Sequence, residues 1–159
     1  MWTRIEVKVT LCCLVLFVCI FQAKEAQAFR NYHSSELLLA ASRGQLEDVQ
    51  LLIENGADVN EKNRFGRTPL FSALSGEHNE VAVLLVENGA QVDVKNSFGR
   101  TPLSVAVANG DLDMVLFLVE NGADVNATNR FGRTTLYLAV QNEYAEIAGA
   151  LVDLGAEVK

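Results

Sequence analysis

Residues 68 to 76 carry apolar side chains at the spacing of one short amphipathic helix. Leu70, Ala73 and Leu74 occupy positions i, i+3 and i+4, which lie along one face of an α-helix. Thr68 is suited to cap this helix, and Pro69 to be its first residue, where no backbone N–H is needed. The pattern predicts a helix that begins at Pro69 and buries a single stripe.

A second apolar run predicts another short helix over about Glu80–Glu87. Its buried stripe consists of Val81, Leu84 and Leu85, and Glu80 and Glu87 form its solvent-exposed face. Gly76 separates the two runs and Gly89 follows the second, and a glycine tolerates the positive φ that ends many helices. Both helices are shorter than the roughly 12 residues at which isolated helices become stable.

The same text returns along the chain with a period of 33 residues. "NRFGRTPL" at Asn63–Leu70 recurs as "NSFGRTPL" at Asn96–Leu103 and as "NRFGRTTL" at Asn129–Leu136. The corresponding units cover about 34–62, 63–95, 96–128 and 129–159. Helix pairs that cannot bury both flanks alone are stabilised by stacking, so the period predicts a solenoid of four units.

These motifs resemble ankyrin repeats. The resemblance is carried by the period, by "TPL" at Thr68–Leu70 and Thr101–Leu103, and by "NGADVN" at Asn55–Asn60 and Asn121–Asn126. It implies an all-α ankyrin-repeat solenoid of four helix-turn-helix units joined by extended hairpin loops, within residues 29–159. The fold alone does not define a function.

The chain departs from the family pattern at the position after "TPL". The family favours a histidine there that ties neighbouring units by hydrogen bonds, whereas this chain has Phe71, Ser104 and Tyr137. We therefore expect these joints to depend more on packing.

The glycine that the family has after the first helix is also missing from two units. Gly44 and Gly110 keep it, while units two and four have glutamates. We expect Gly76 and Asn142, one place earlier, to adopt the left-handed turn instead.

The two ends of the repeat array are expected to differ from its interior. The first unit lacks the hairpin, and Ser34 or Ser35 is expected to cap its first helix. We expect both ends to be polar, as in a complete small array, and the chain to be a monomer.

Residues 1–28 have the features of a secretory signal peptide. Basic residues precede the apolar run Leu11–Phe21, and Ala26–Ala28 supplies an Ala-x-Ala cleavage site. The alternative is an uncleaved membrane anchor, although the run is shorter than the roughly 20 residues that span a bilayer. Cleavage after Ala28 would remove every cysteine, namely Cys12, Cys13 and Cys19. The mature chain would then have no disulfide or thiol nucleophile.

Composition and motifs argue against catalysis, a metal site or a cofactor. The chain has a net charge of −7, which becomes about −8 after cleavage and disfavours nucleic acid as a partner. The two histidines, His33 and His78, have no nucleophile or metal-ligand context. "DVNEKN" and "DVNATN" lack the glycine and closing glutamate of an EF-hand loop.

Basic residues concentrate in the loops between units, and acidic residues concentrate around the second helices. Ankyrin repeats bind partners through loop tips and the adjoining surface of the first helices. The resemblance therefore implies a partner-binding surface made of Arg64, Phe65, Arg67, Ser75, Ser97, Phe98, Arg100, Ala108, Asn109, Arg130, Phe131, Arg133 and Gln141. The alternative for the three phenylalanines is structural, since each can pack on a neighbouring loop while an arginine pairs with a nearby acid.

The sequence thus predicts a secreted or periplasmic, non-enzymatic protein that binds another protein through this surface. After signal cleavage it would have no membrane partner. The alternatives are an immunity-type inhibitor of a toxic enzyme, an envelope stress-support protein and a host-directed secreted effector.

Overall fold

A computed structural model of the chain describes residues 35–157, and these residues form helices connected by turns and hairpin loops. The helices are α1 (35–43), α2 (Leu46–Glu54), α3 (Pro69–Ser75), α4 (Asn79–Glu87), α5 (Pro102–Asn109), α6 (Leu112–Glu120), α7 (Thr135–Gln141) and α8 (Ala145–Asp153). The described part contains no strand, and its one isolated bridge joins Thr128 to Thr134. The all-α solenoid expected from the sequence is confirmed.

The first helix of each later unit begins at the predicted threonine. The side chains of Thr68, Thr101 and Thr134 each accept a hydrogen bond from the backbone N–H three residues later, at 3.2 Å. Pro69 and Pro102 occupy the first helical position. The capping prediction is therefore confirmed.

Four helix pairs stack side by side around one continuous core. α3 contacts α5 and α5 contacts α7, while α2 contacts α4 and α6 contacts α8. Leucines at equivalent positions form the centre of the stack: Leu37, Leu70 and Leu103 are fully buried and Leu136 is 7% exposed. In α4 the predicted stripe is only partly right, because Leu84 is half-buried and Ala82 is fully buried instead.

The turn between paired helices corrects one expectation. Glu77 and Glu143 adopt the left-handed conformation, with φ of 59° and 61°, whereas Gly76 and Asn142 have φ of −97° and −93°. The left-handed residue keeps the same place in every unit, since Gly44 has φ of 71°. The position within the unit, rather than the presence of a glycine, thus determines where the left-handed residue lies. In the second and fourth units a glutamate adopts this conformation.

Hydrogen bonds, not packing alone, join neighbouring units. Asn60 donates from Nδ2 to the Gly89 carbonyl at 3.0 Å and accepts at Oδ1 from the Gln91 N–H at 2.8 Å. Asn126 repeats both bonds one pair further on, with Gly155 and Glu157. The sequence analysis underestimated these joints because the bonding residues lie away from the "TPL" position.

The expectation of polar ends is wrong at the C-terminal end of the array. Val140 is 59% exposed and Val152 is 50% exposed on the outer side of α7 and α8. The argument from polar ends for a monomer is therefore lost. The predicted signal peptide and its cysteines, the Ser34 cap and His33 lie outside the described residues.

Within residues 35–157, none of the helices is long and apolar enough to cross a membrane.

Candidate protein-binding surface

Each hairpin loop is closed around one asparagine that the sequence analysis did not single out. Asn63 Oδ1 accepts hydrogen bonds from the Phe65 and Arg67 N–H groups at 2.9 and 3.1 Å. Asn96 and Asn129 make the same pair of bonds in the next two hairpins. Because the asparagine occupies the turn from inside, the phenylalanine and arginine side chains lie outside it. Its presence in all three copies was the available signal.

Successive hairpins lie in direct contact along one side of the stack. The Ser97 N–H donates to the Phe65 carbonyl at 3.0 Å, which links the first hairpin to the second. A side chain at Gly99 would place its Cβ 2.6 Å from the backbone nitrogen of Arg130, so the second and third hairpins are in contact at this glycine. The three loops therefore form one continuous surface.

Arginines and aromatic rings alternate along this surface. Arg64 lies over the Phe65 ring at 4.7 Å from the centroid. Arg130 lies between two rings, 5.2 Å from Phe98 and 4.7 Å from Phe131. These distances are those of cation–π contacts. The Arg130 contact with Phe98 also crosses from one hairpin to the next.

The three phenylalanines are exposed, and each lies under an arginine. Phe65, Phe98 and Phe131 are 44%, 43% and 68% exposed, so each keeps a large free surface. Arg64 and Arg130 lie within cation–π distance of these rings. None of the arginines of these hairpins forms an ion pair with an acid among residues 35–157, so the expected arginine–acid pairing is absent from that part of the chain.

We call this surface the hairpin edge, and it consists of Arg64, Phe65, Arg67, Phe98, Arg100, Arg130, Phe131 and Arg133. All eight residues are exposed, as is the neighbouring Ser97. The first-helix residues of the prediction differ from them. Ser75, Asn109 and Gln141 are exposed and Ala108 is half-buried. Asn109 donates to the Leu74 carbonyl at 2.7 Å, and Ser75 donates to the Phe71 carbonyl at 2.8 Å. Asn109 and Ser75 therefore already serve the fold.

Comparison with known proteins identifies the repeat. A family model described as ankyrin repeats (3 copies) matches residues 37–129. The chain belongs to the ankyrin-repeat family. Helices α7 and α8 lie beyond the matched residues and form the fourth helix pair. Ankyrin repeats are protein–protein interaction modules and are typically non-enzymatic.

Several curated proteins share segments of similar sequence with this ankyrin-repeat chain. Over 40 residues it is 52% identical to cyclin-dependent kinase 4 inhibitor B of Mus musculus, covering 25% of this chain and 31% of that protein. Over 48 residues it is 50% identical to the E3 ubiquitin-protein ligase XBAT33 of Arabidopsis thaliana, covering 30% of this chain and 9% of that protein. Over 45 residues it is 49% identical to Rabankyrin-5 of Homo sapiens, covering 28% of this chain and 4% of that protein. The chain therefore spans less than a third of each of these relatives.

His78 occupies a structural position in the ankyrin array. A ring nitrogen of His78 lies 3.2 Å from the Ser42 carbonyl oxygen of the preceding unit. The ring also fills the space that a side chain at Gly76 would need, since a Cβ there would lie 2.7 Å from it. Within residues 35–157, no three His, Cys, Asp or Glu side chains are grouped to hold a metal ion.

The charge distribution separates the two sides of the ankyrin stack. The second helices carry exposed acids at one repeated position: Glu47, Glu80, Asp113 and Glu146. The hairpin edge carries five arginines and no acid. A chain with a net charge of −7 therefore presents one basic, aromatic surface.

Proposed function

We propose that this chain binds another protein through the hairpin edge and has no catalytic activity of its own. The observation that carries the proposal is the set of exposed arginines that stack on aromatic rings without an acidic partner in residues 35–157. A cation–π contact restricts the guanidinium group, and none of these groups donates a hydrogen bond within residues 35–157. Such arginines bind carboxylates in bidentate fashion with little ordering cost.

The chemistry of the hairpin edge favours an acidic partner surface. Arginine and aromatic residues contribute most of the energy in protein interfaces. Opposite charge on the partner would accelerate association, and the acidic second helices would repel such a partner from the other side. A rigid stack also loses little conformational entropy on binding.

A capture experiment with matched baits tests the proposal. The native chain is compared with one that carries Arg64→Ser, Arg67→Ser, Arg100→Ser, Arg130→Ser and Arg133→Ser. The control bait carries Glu47→Gln, Glu80→Gln, Asp113→Asn and Glu146→Gln, which change the opposite side. We expect the native and control baits to retain the same protein, and the serine bait to lose it.

The captured protein is then purified and its affinity measured at two salt concentrations. Ser97→Arg makes the opposite change, since it adds an arginine to the surface. Position 97 is equivalent to positions 64 and 130, which already carry arginine. We expect this substitution to tighten binding several-fold and to increase its salt dependence. Equal affinity of the native chain and the serine variant would contradict the proposal.

We further propose that the protein acts outside the cytoplasm, in the periplasm or the medium. The support is the basic start, the apolar run Leu11–Phe21 and the site at Ala26–Ala28. Mass spectrometry of the chain recovered from its own cells tests this directly. A chain that begins at Phe29 is expected, and an intact N-terminus in a membrane fraction would favour the anchor instead.

A further inference from the structure

The outer side of α7 and α8 forms an apolar groove of about 550 Å³ at the C-terminal end of the array. We call it the end face, and it consists of Leu136, Tyr137, Val140, Ala148, Gly149 and Val152, with Asp153 and Glu157 at its border. Apart from Thr134, no other residue of the described range 35–157 lines this groove. The end face is therefore a stacking surface that the described helices leave open.

Comparison with the inner units shows that Val140 occupies a stacking position. The equivalent residues Ala41, Leu74 and Val107 are 0%, 1% and 0% exposed, because the next unit covers each of them. Val140 is 59% exposed at the same place. A terminal repeat that only faces water carries polar residues on its outer side. The fourth unit instead keeps an interior surface.

The opposite end of the array also exposes apolar residues, since Leu39 and Leu51 are 48% and 57% exposed there, but it differs from the end face at one stacking position. Asp48 in the first unit takes the place of Val81, Met114 and Ile147, which are 1–3% exposed against their preceding units. A carboxylate at this position opposes the stacking of another unit on the first. Asp48 thus distinguishes this end from the end face, and its charge disfavours head-to-tail growth of the array.

We propose that the end face binds the end face of a second copy, in a two-fold symmetric dimer. This inference does not depend on the proposed partner binding. An interface between identical surfaces requires that one half of the surface complements the other half. The end face meets this requirement in both shape and charge.

The shapes of α7 and α8 are complementary. α7 presents Tyr137 and Val140, whereas α8 presents the small residues Ala148 and Gly149. A two-fold axis that runs between the two helices and parallel to them places α7 of one copy against α8 of its partner. The Tyr137 ring then lies over the glycine, where no side chain blocks it.

The charges of the end face follow the same two-fold arrangement. Arg133, at the start of α7, lies 5.1 Å from the Tyr137 ring, while Asp153 ends α8 and borders the groove. Since α7 begins where its antiparallel neighbour α8 ends, the axis brings Arg133 of one copy to Asp153 of its partner twice. Charge complementarity thus selects the same arrangement as shape.

Sedimentation of the full chain, with its N-terminus determined by mass spectrometry, tests the dimer. We expect a concentration-dependent equilibrium between monomer and dimer, and we expect Val140→Asp to weaken it at least about tenfold. Leu51→Asp is the matched control, because Leu51 is 57% exposed on α2, away from the end face. A native chain that stays monomeric at every concentration, or a dimer that Val140→Asp leaves unchanged, would overturn the proposal.

A charge exchange between copies tests the arrangement itself. Arg133→Glu and Asp153→Arg each place like charges opposite one another in their own homodimers, so both variants are expected to dimerise weakly. When the two variants are mixed, both pairs become attractive, and a heterodimer with about native affinity is expected. A mixture that associates no better than its components would overturn the two-fold arrangement of α7 against α8.

Discussion

One backbone position in each turn between paired helices has a positive φ, and the residue type there differs between units. Gly44 and Gly110 have φ of 71° and 74°, while Glu77 and Glu143 have φ of 59° and 61°. For a residue with a side chain, this conformation costs about 1 kcal/mol or more. The second and fourth units therefore carry local strain that the first and third units avoid.

Replacement of Glu77 by glycine should stabilise the protein. Within residues 35–157 the exposed side chain makes no hydrogen bond, and its loss removes the clash between Cβ and the following carbonyl oxygen. We expect Glu77→Gly to raise the free energy of unfolding in urea by about 0.5–1 kcal/mol, after the entropic cost of glycine in the unfolded chain.

Gly76, one residue earlier, provides the control because it is needed for space rather than for φ. A Cβ at Gly76 would lie 2.7 Å from the His78 ring and 3.2 Å from the Ser42 carbonyl oxygen. We expect Gly76→Ala to destabilise the protein by about 1–3 kcal/mol. A stabilising Gly76→Ala, together with a destabilising Glu77→Gly, would show that the turn is placed one residue earlier.

At the residue scale, some contacts could be predicted from the sequence and others could not. The Thr68 cap and the place of Pro69 were predictable because both depend only on the first turn of the helix. Thr68 accepts a backbone hydrogen bond there, and Pro69 lies where no backbone N–H is needed. The role of Gly76 was not predictable, since the Ser42 carbonyl oxygen that it accommodates belongs to the preceding unit. The hairpin composition predicted an exposed basic surface. It did not predict the Arg130 contact with Phe98, because that contact depends on how adjacent loops stack.

At the scale of elements, neighbouring units are held in register by side-chain amides in the loops after the second helices. Asn60 makes two hydrogen bonds to the backbone of the following unit, whereas Asp93 at the equivalent place accepts one bond, from the Asp124 N–H at 2.8 Å. The "ADVN" motif was visible in the sequence, but its partners are 29 and 31 residues away. The bonds therefore become apparent only when the stacking geometry is known.

Loss of the Asn60 amide should weaken the joint between the first two units. Asn60→Ala leaves the Gly89 carbonyl and the Gln91 N–H without this partner, and we expect a loss of about 1–3 kcal/mol in the free energy of unfolding. Asn60→Asp keeps the acceptor oxygen, as Asp93 does naturally, and should cost less. Urea unfolding of both variants measures the difference, and equal losses would show that the acceptor bond contributes nothing.

At the scale of the whole molecule, the array is a one-dimensional stack in which each unit is stabilised by its neighbours. The sequence period predicted this arrangement because the same apolar positions recur in every unit. The same regularity gave no indication of the open end face, since Val140 occupies the same position in its unit as the buried Val107 does one unit earlier. Whether such a residue is covered depends on the presence of a further unit beside it, and the pattern within one unit does not contain that information.

Equivalent core substitutions should therefore have different consequences in the third and fourth units. Leu103 is fully buried in α5 between two neighbouring units, whereas Leu136 in α7 is 7% exposed and has a described neighbour on one side. Truncation of a buried leucine to alanine costs about 2–5 kcal/mol. We expect Leu103→Ala to lower the stability of the whole array, and Leu136→Ala to open α7 and α8 while α3 to α6 stay folded.

Hydrogen exchange followed by mass spectrometry separates these two outcomes, because local opening exposes only the amides of the affected helices. Each substitution is measured alone and combined with Val140→Asp, so that association through the end face does not protect α7 and α8. With Leu136→Ala, faster exchange is expected in α7 and α8, and native exchange in α3 to α6. If Leu136→Ala instead accelerated exchange equally in all helices, the four units would unfold as one cooperative block, and nearest-neighbour stacking would not describe this array.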